Sequence, residues 1–144
     1  MNNDPKIKLF LVDDDLVYLK LLEIEFLDHA DFSIQTFATG ELCLENLASC
    51  PDVIILDYHL NSIDNRAMNG LAILDKIKAF NSSIPVVMLS SQDKIEVAIN
   101  CMHHNAFDYV VKSETAFTRL RLIISTIMHF QRMTKELNWY MERM

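Results

Sequence analysis

Short apolar runs alternate along the chain with longer stretches whose apolar residues recur at helical spacing. The runs are Ile7 to Val12, Phe32 to Phe37, Val53 to Leu56, Pro85 to Leu89 and Tyr109 to Val111. Most are continuous and rich in β-branched residues, the pattern of strands buried on both faces of a sheet. Between them Leu19, Leu22, Phe26 and Leu27, and later Leu71, Leu74 and Ile77, place an apolar stripe on each helix. Strand and helix alternate five times, which predicts an α/β domain with a five-stranded parallel sheet, right-handed crossovers and helices on both faces. The pattern leaves the strand order open.

Local punctuation agrees with these boundaries. Pro85 opens a strand where no ladder donor is lost. Asp93, with Glu96 three residues later, predicts a capping box at the start of the fourth helix. Asn105 suits the left-handed residue that ends a helix, and His103 and His104 before it read as surface residues at the negative end of the dipole. The segment from Tyr58 to Asn69 carries Asn61, Ser62, Asp64 and Asn65 and reads as a polar, turn-forming loop.

From Leu120 onward two heptad columns are visible: Leu120, Ile127, Thr134 and Met141 in one, and Ile123, Phe130, Leu137 and Met144 in the other. The first half of this stretch has to cover the sheet. The body is therefore expected over residues 1–131 and a helical extension over 132–144. The extension either pairs with another chain, leads into an output module, or folds back.

Composition narrows the function. With 144 residues, 51% of them hydrophobic, the chain can bury one core. A net charge of -7 without a dense Lys/Arg run argues against direct nucleic-acid binding. Cys43, Cys50 and Cys101 lack the spacing of a zinc site or disulfide framework, which fits free thiols in a reducing cytoplasm. The stretch from Met1 to Lys8 is polar, and no apolar run approaches the ~18 residues of a membrane span, so a soluble cytoplasmic protein is expected. Gly40 and Gly70 are the only glycines, too few for a Gly-rich phosphate loop.

Ligands of open parallel sheets bind outside the carboxyl ends of the strands. There the first strand ends in Asp13, Asp14 and Asp15, the third in Asp57, the fourth in Ser90 and Ser91, and the fifth in Lys112. Carboxylates drawn together repel unless a cation neutralises them, and hard oxygen ligands suit Mg2+. An aspartate can attack phosphorus to give an aspartyl phosphate, and Asp57, alone at the end of an apolar strand, is the candidate nucleophile. Taken singly, these residues could be a helix cap, a loop residue and a surface lysine. Independent surface residues have no reason to gather at four strand ends.

The segments LFLVDDD, VIILDYHL, PVVMLSS and FDYVVKS resemble, in order, the signature segments of response regulator receiver domains, over about Lys6 to Phe130. The resemblance implies a flavodoxin-like (βα)5 sandwich in which Asp13 and Asp14 form the acidic pair and Asp57 is the phosphoacceptor. It further implies that His59 lends a backbone carbonyl to Mg2+, Ser90 is the switch hydroxyl, Lys112 contacts the phosphate and Tyr109 is the switch aromatic. The implied phosphodonor is a sensor histidine kinase or a phosphotransfer protein. The implied recipient of the signal is an effector protein or output domain, with a phosphorylation-dependent homodimer among the expected partners. Two departures stand out: Ser113 replaces the usual proline after the lysine, and Gly70 lies about five residues later than usual, which lengthens the loop after Asp57.

Two rival readings remain. Asp13, Asp15 and Val17 also satisfy the DxDx[TV] pattern of haloacid dehalogenase-type phosphatases, with Asp13 as nucleophile and Asp15 as acid/base. The paired acids which that superfamily needs downstream are missing, since only the scattered Glu114, Glu136 and Glu142 follow Lys112. The other rival is a receiver-like binding module that never turns over phosphate.

Overall fold

Five parallel strands form one sheet in the order β2-β1-β3-β4-β5. In chain order the elements are β1 (Ile7–Val12), α1 (Leu16–Leu27), β2 (Phe32–Phe37), α2 (Gly40–Glu45), β3 (Val53–Asp57), α3 (Gly70–Phe80), β4 (Val86–Ser90), α4 (Ile95–His103), β5 (Asp108–Val111) and α5 (Ala116–Glu142). This computed structural model describes residues 6–28 and 31–144, and the polar residues Met1 to Pro5 lie outside them.

Strand side chains alternate between two apolar layers. Phe10, Val12, Ile54, Leu56, Val86 and Met88 face a layer that includes Cys43, Ile73, Leu74, Ile77 and Cys101 from α2, α3 and α4. Leu9, Leu11, Val53, Ile55, Val87 and Leu89 face Leu22 and Phe26 of α1 and Leu120, Ile124 and Ile127 of α5. Each fully buried Leu or Ile contributes about 2 kcal/mol. That explains why β3 and β4, buried along their whole length, read as unbroken apolar runs. β2 lies at the sheet edge and mixes polar with apolar positions along its length.

Several local expectations change. α4 begins at Ile95 with Lys94 at its cap and no side-chain cap bond, so the Asp93/Glu96 capping box does not form. The preceding Gln92 is tied by its N–H to Ser90 Oγ and by its carbonyl to the Tyr109 hydroxyl, which commits this stretch to the loop. Asn105 does adopt the left-handed conformation, with φ 71. His103 is exposed, but His104 is half-buried and its Nδ1 meets Asp75 Oδ1 at 2.7 Å. α1 is apolar on its outer side too: Leu27, read from sequence as part of the buried stripe, is exposed along with Leu21 and Ile24. All three cysteines are free. No helix among the described residues is long and apolar enough to cross a membrane.

α5 runs without interruption past Gln131, and every residue from Arg132 to Met144 is exposed. The heptad columns divide unequally. Leu120 and Ile127 are buried against the sheet, whereas Phe130, Met133, Leu137, Tyr140 and Met144 form an exposed seam at alternating spacings of three and four. The extension does not fold back.

Gly70 occupies a place that only glycine fits. A Cβ there would lie 2.3 Å from the Asp57 carbonyl oxygen and 2.8 Å from Tyr58 Cα, both backbone atoms. At Gly40 the obstacle is the Ile73 side chain, with Cγ1 at 2.3 Å, which can rotate away at some expense in packing. Gly70→Ala is therefore expected to destabilise by about 2–3 kcal/mol, and Gly40→Ala by less. Urea unfolding midpoints read both, and equal losses would contradict this account of Gly70.

Candidate functional site

Because all the strands are parallel, their carboxyl ends converge on one edge of the sheet. β1 leads into Asp13 and Asp14, β3 ends in Asp57, β4 ends in Ser90, and Lys112 follows β5. Among the described residues, Asp13, Asp14, Asp57 and Ser90 are the buried polar ones in an otherwise apolar interior. Asp57 is only 3% exposed, at the floor of a cavity of about 530 Å³ that Asp14, His59, Ser62, Ile63, Ser91 and Lys112 help to line.

Three carboxylates meet there. Asp13, Asp14 and Asp57 each offer an oxygen within 4.8 Å of the other two. Lys112 Nζ lies 2.9 Å from Asp13 Oδ2 and 3.6 Å from Asp57 Oδ1. It also stands over the Tyr18 ring, 4.4 Å from its centroid. One ammonium among three carboxylates leaves the cluster short of positive charge. Asp13 Oδ2 meets that ammonium without accepting a well-formed hydrogen bond. An all-oxygen donor set with surplus negative charge is the chemistry that suits a hard divalent cation such as Mg2+.

Burial, and then the charge of Asp13, push the Asp57 carboxyl up to about 8, while Lys112 and the His59 N–H pull the other way. Burial would depress the Lys112 ammonium, but Asp57 and Asp13 outweigh it and hold its pKa above the usual lysine value. Asp15 is separate from this group. It is exposed and caps α1, accepting from the Val17 and Tyr18 N–H groups at 3.1 and 3.2 Å. Its place as a cap removes support from the phosphatase reading, which needs Asp15 free to move protons.

The sequence model of the response regulator receiver domain matches residues 9–125. The chain belongs to that family. Receivers of this kind are signalling domains of two-component systems, which pair with histidine kinases and output domains and bind Mg2+ in an acidic pocket. Among relatives, the DNA-binding transcriptional regulator NtrC of Escherichia coli K12 is 32% identical over 124 residues, covering 85% of this chain and 25% of that protein. A protein-glutamate methylesterase/protein-glutamine glutaminase of Rhodopseudomonas palustris is 34% identical over 129 residues, 84% of this chain and 34% of that protein. The chain thus spans about a quarter to a third of these relatives. The crystal structure of the receiver domain of NtrX from Brucella abortus superposes with a TM-score of 0.74 at 26% identity, covering 84% of this chain and 98% of that one. The observed sheet order is the flavodoxin-like one that the resemblance implied.

In this receiver the structure brings Asp13, Asp14, Asp57 and Lys112 into one cluster, with Ser90 buried beside it at the end of β4. Ser90 Oγ accepts the Gln92 N–H at 3.1 Å. Tyr109 is nearly buried, and its hydroxyl donates to the Gln92 carbonyl. The His59 N–H donates to Asp57 Oδ1 at 3.3 Å, and its ring Nε2 lies 3.1 Å from Gln92 Nε2. Sequence reasoning did not single out Gln92 or Tyr18, and it read Ser62 only as a polar loop residue. Tyr18 had a signal, because four residues after Asp14 is one helical turn from the acidic run. Gln92 and Ser62 act largely through backbone groups, which leave no trace in residue type.

The raised Asp57 pKa sets a pH dependence. A carboxyl whose folded pKa exceeds its unfolded value binds extra protons when folded, so its stabilising contribution is present in acid and lost as pH rises through about 8. With divalent ions chelated, Asp57→Asn should therefore raise Tm at pH 8 by a few degrees, ~1 kcal/mol being worth about 3–5 °C. The gain should shrink toward pH 5. Paired thermal melts check it, and a gain that is constant with pH would refute the buried-carboxylate account.

Proposed function

We propose that this receiver takes a phosphoryl group onto Asp57 from the phosphohistidine of a sensor histidine kinase or phosphotransfer protein. The observation that carries the reading is the buried Asp57 carboxylate at a cavity floor, flanked by Lys112 and two further carboxylates. Asp13, Asp14, Asp57 and the His59 backbone carbonyl would hold Mg2+. The ion, when bound, supplies charge neutralisation for the phosphoryl oxygens and the crowded carboxylates.

An Asp57 oxygen attacks phosphorus, and the donor's P–N bond breaks with its electron pair leaving on the imidazole. Lys112, already bridging Asp13 and Asp57, is placed to meet a phosphoryl oxygen without reorganisation. Ser90 exchanges the Gln92 N–H for a phosphoryl oxygen. That exchange loosens Gln92, whose carbonyl holds the Tyr109 hydroxyl, and so passes the change to α4 and β5. Phosphorylation shifts this equilibrium only by as much as Ser90 and Lys112 bind the phosphoryl group better in one state than in the other. An effector or attached output domain reads the altered face formed by α4, β5 and α5.

Intact mass after incubation with acetyl phosphate and Mg2+ tests the chemistry. One added phosphoryl group is expected, absent without Mg2+ and in Asp57→Asn, with the labelling rate about 10²-fold lower in Lys112→Ala. No adduct would favour a phosphate-independent binding module, and an adduct lost in Asp13→Asn but kept in Asp57→Asn would favour the phosphatase.

The exposed seam of α5 supports pairing with a second copy over residues 132–144. An isolated helical segment of that length is marginal in water, and Phe130, Met133, Leu137, Tyr140 and Met144 repeat at the spacing that self-associating helices use. Light scattering over a concentration series should show dimers that Leu137→Asp abolishes without affecting labelling of Asp57. A wild type that stays monomeric at every concentration, phosphorylated or not, removes the pairing.

A further inference from the structure

The segment between β3 and α3 is long for this family, with Gly70 thirteen residues after Asp57, yet it is not slack. Leu60 is buried in the layer that contains α3. Within the segment the Arg66 N–H donates to Asp64 Oδ1 and the Ala67 N–H to the Asp64 carbonyl, both at 3.0 Å. At its far end the Met68 N–H reaches Glu41 Oε2 at 3.4 Å. Between these anchors the Ser62 N–H donates to Asp14 Oδ2 at 2.9 Å, a bond between residues 48 apart in sequence. Ser62 and the neighbouring Ile63, which is 78% exposed, both line the cavity above Asp57.

The bond's target matters more than its strength. A carboxylate turns about its Cβ–Cγ bond, and a ligand free to turn loses that freedom when it captures a cation. Groups that hydrogen-bond to a ligating carboxylate fix its orientation in advance, and losing one typically weakens metal binding 10–100-fold. One oxygen of Asp14 is held by Ser62, and the carboxylate still has an oxygen within 4.8 Å of those of Asp13 and Asp57. The donor is a main-chain group whose position depends on the length of the segment, so residue type does not reveal it.

We infer that the Ser62 backbone N–H is a positioning group for Asp14, through which the lengthened segment sets the receiver's affinity for Mg2+. The inference rests on the reading of Asp13, Asp14 and Asp57 as the Mg2+ site.

Calorimetric titration of the whole chain with MgCl2 tests it. Ser62→Ala keeps the N–H and should bind like the wild type. Ser62→Pro removes the N–H and should raise Kd about tenfold. At saturating Mg2+ both variants should still be labelled on Asp57 by acetyl phosphate, the proline variant needing proportionately more Mg2+ for half-maximal labelling. A Ser62→Pro protein that is folded by circular dichroism yet binds Mg2+ within twofold of wild type overturns the inference and leaves the phosphoacceptor reading intact. A wild type that binds no Mg2+ overturns both. Should the proline variant not fold, amide hydrogen exchange in the wild type decides. Protection at Ser62 that disappears in Asp14→Ala supports the positioning role, and exchange at the free-loop rate in the wild type refutes it.

Discussion

Everything distinctive in this molecule depends on holding three carboxylates within a few ångströms of one another in a site that water barely reaches. Mutual repulsion and lost hydration both oppose that arrangement. Lys112 offsets part of it by reaching across β4 from the end of β5 to Asp13 and Asp57, and Asp57 answers the remainder by favouring its protonated form. A cluster of this kind stays together only when the backbone that carries it cannot spread. The two apolar layers supply that restraint, because β1, β3 and β4 are clamped between helices on both sides.

The same restraint explains what could be read from the sequence. A central strand buried on both faces has to be apolar where it is buried, so β3, β4 and β1 from Leu9 onward announced themselves, and the first polar residue after each run marked the edge where the candidate site lies. That is how Asp13, Asp14, Asp57 and Ser90 could be placed together, and Lys112 joined them as the first polar residue after the apolar end of β5. Strand order was not legible from the pattern, since alternation of strand and helix is common to several parallel sheets. It entered through the family resemblance and is visible in the pairing of β1 between β2 and β3.

What stayed hidden has a common physical character. The start of α4 depends on Gln92, whose N–H and carbonyl are both committed to the site, and a main-chain bond carries no residue signature. The Ser62 N–H is a second case. A third is α1, where Leu27 read like core although it is exposed beside Leu21 and Ile24, because periodicity alone does not tell a helix with two apolar faces which one meets the sheet. The heptad pattern of α5 was legible, with its two halves serving different ends. Its first column belongs to the core through Leu120 and Ile127, and the second supplies Phe130, Leu137 and Met144 to the free seam, which Met133 and Tyr140 complete in place of Thr134 and Met141.

Rigidity is not shared evenly around the site, and the difference gives it a direction of response. Asp13, Asp14 and Asp57 project from strand ends locked by parallel ladders, and Gly70 seats the start of α3 directly against the Asp57 carbonyl. Moving those strand ends would unpack the core. On the other side, Ser90 and Tyr109 are linked through Gln92 in a loop followed by a helix that lacks a side-chain cap and buries little beyond Cys101. A change in charge at Asp57 therefore finds its least costly outlet toward α4 and β5. A structure equally stiff on both sides would take the same change in charge and pass nothing on.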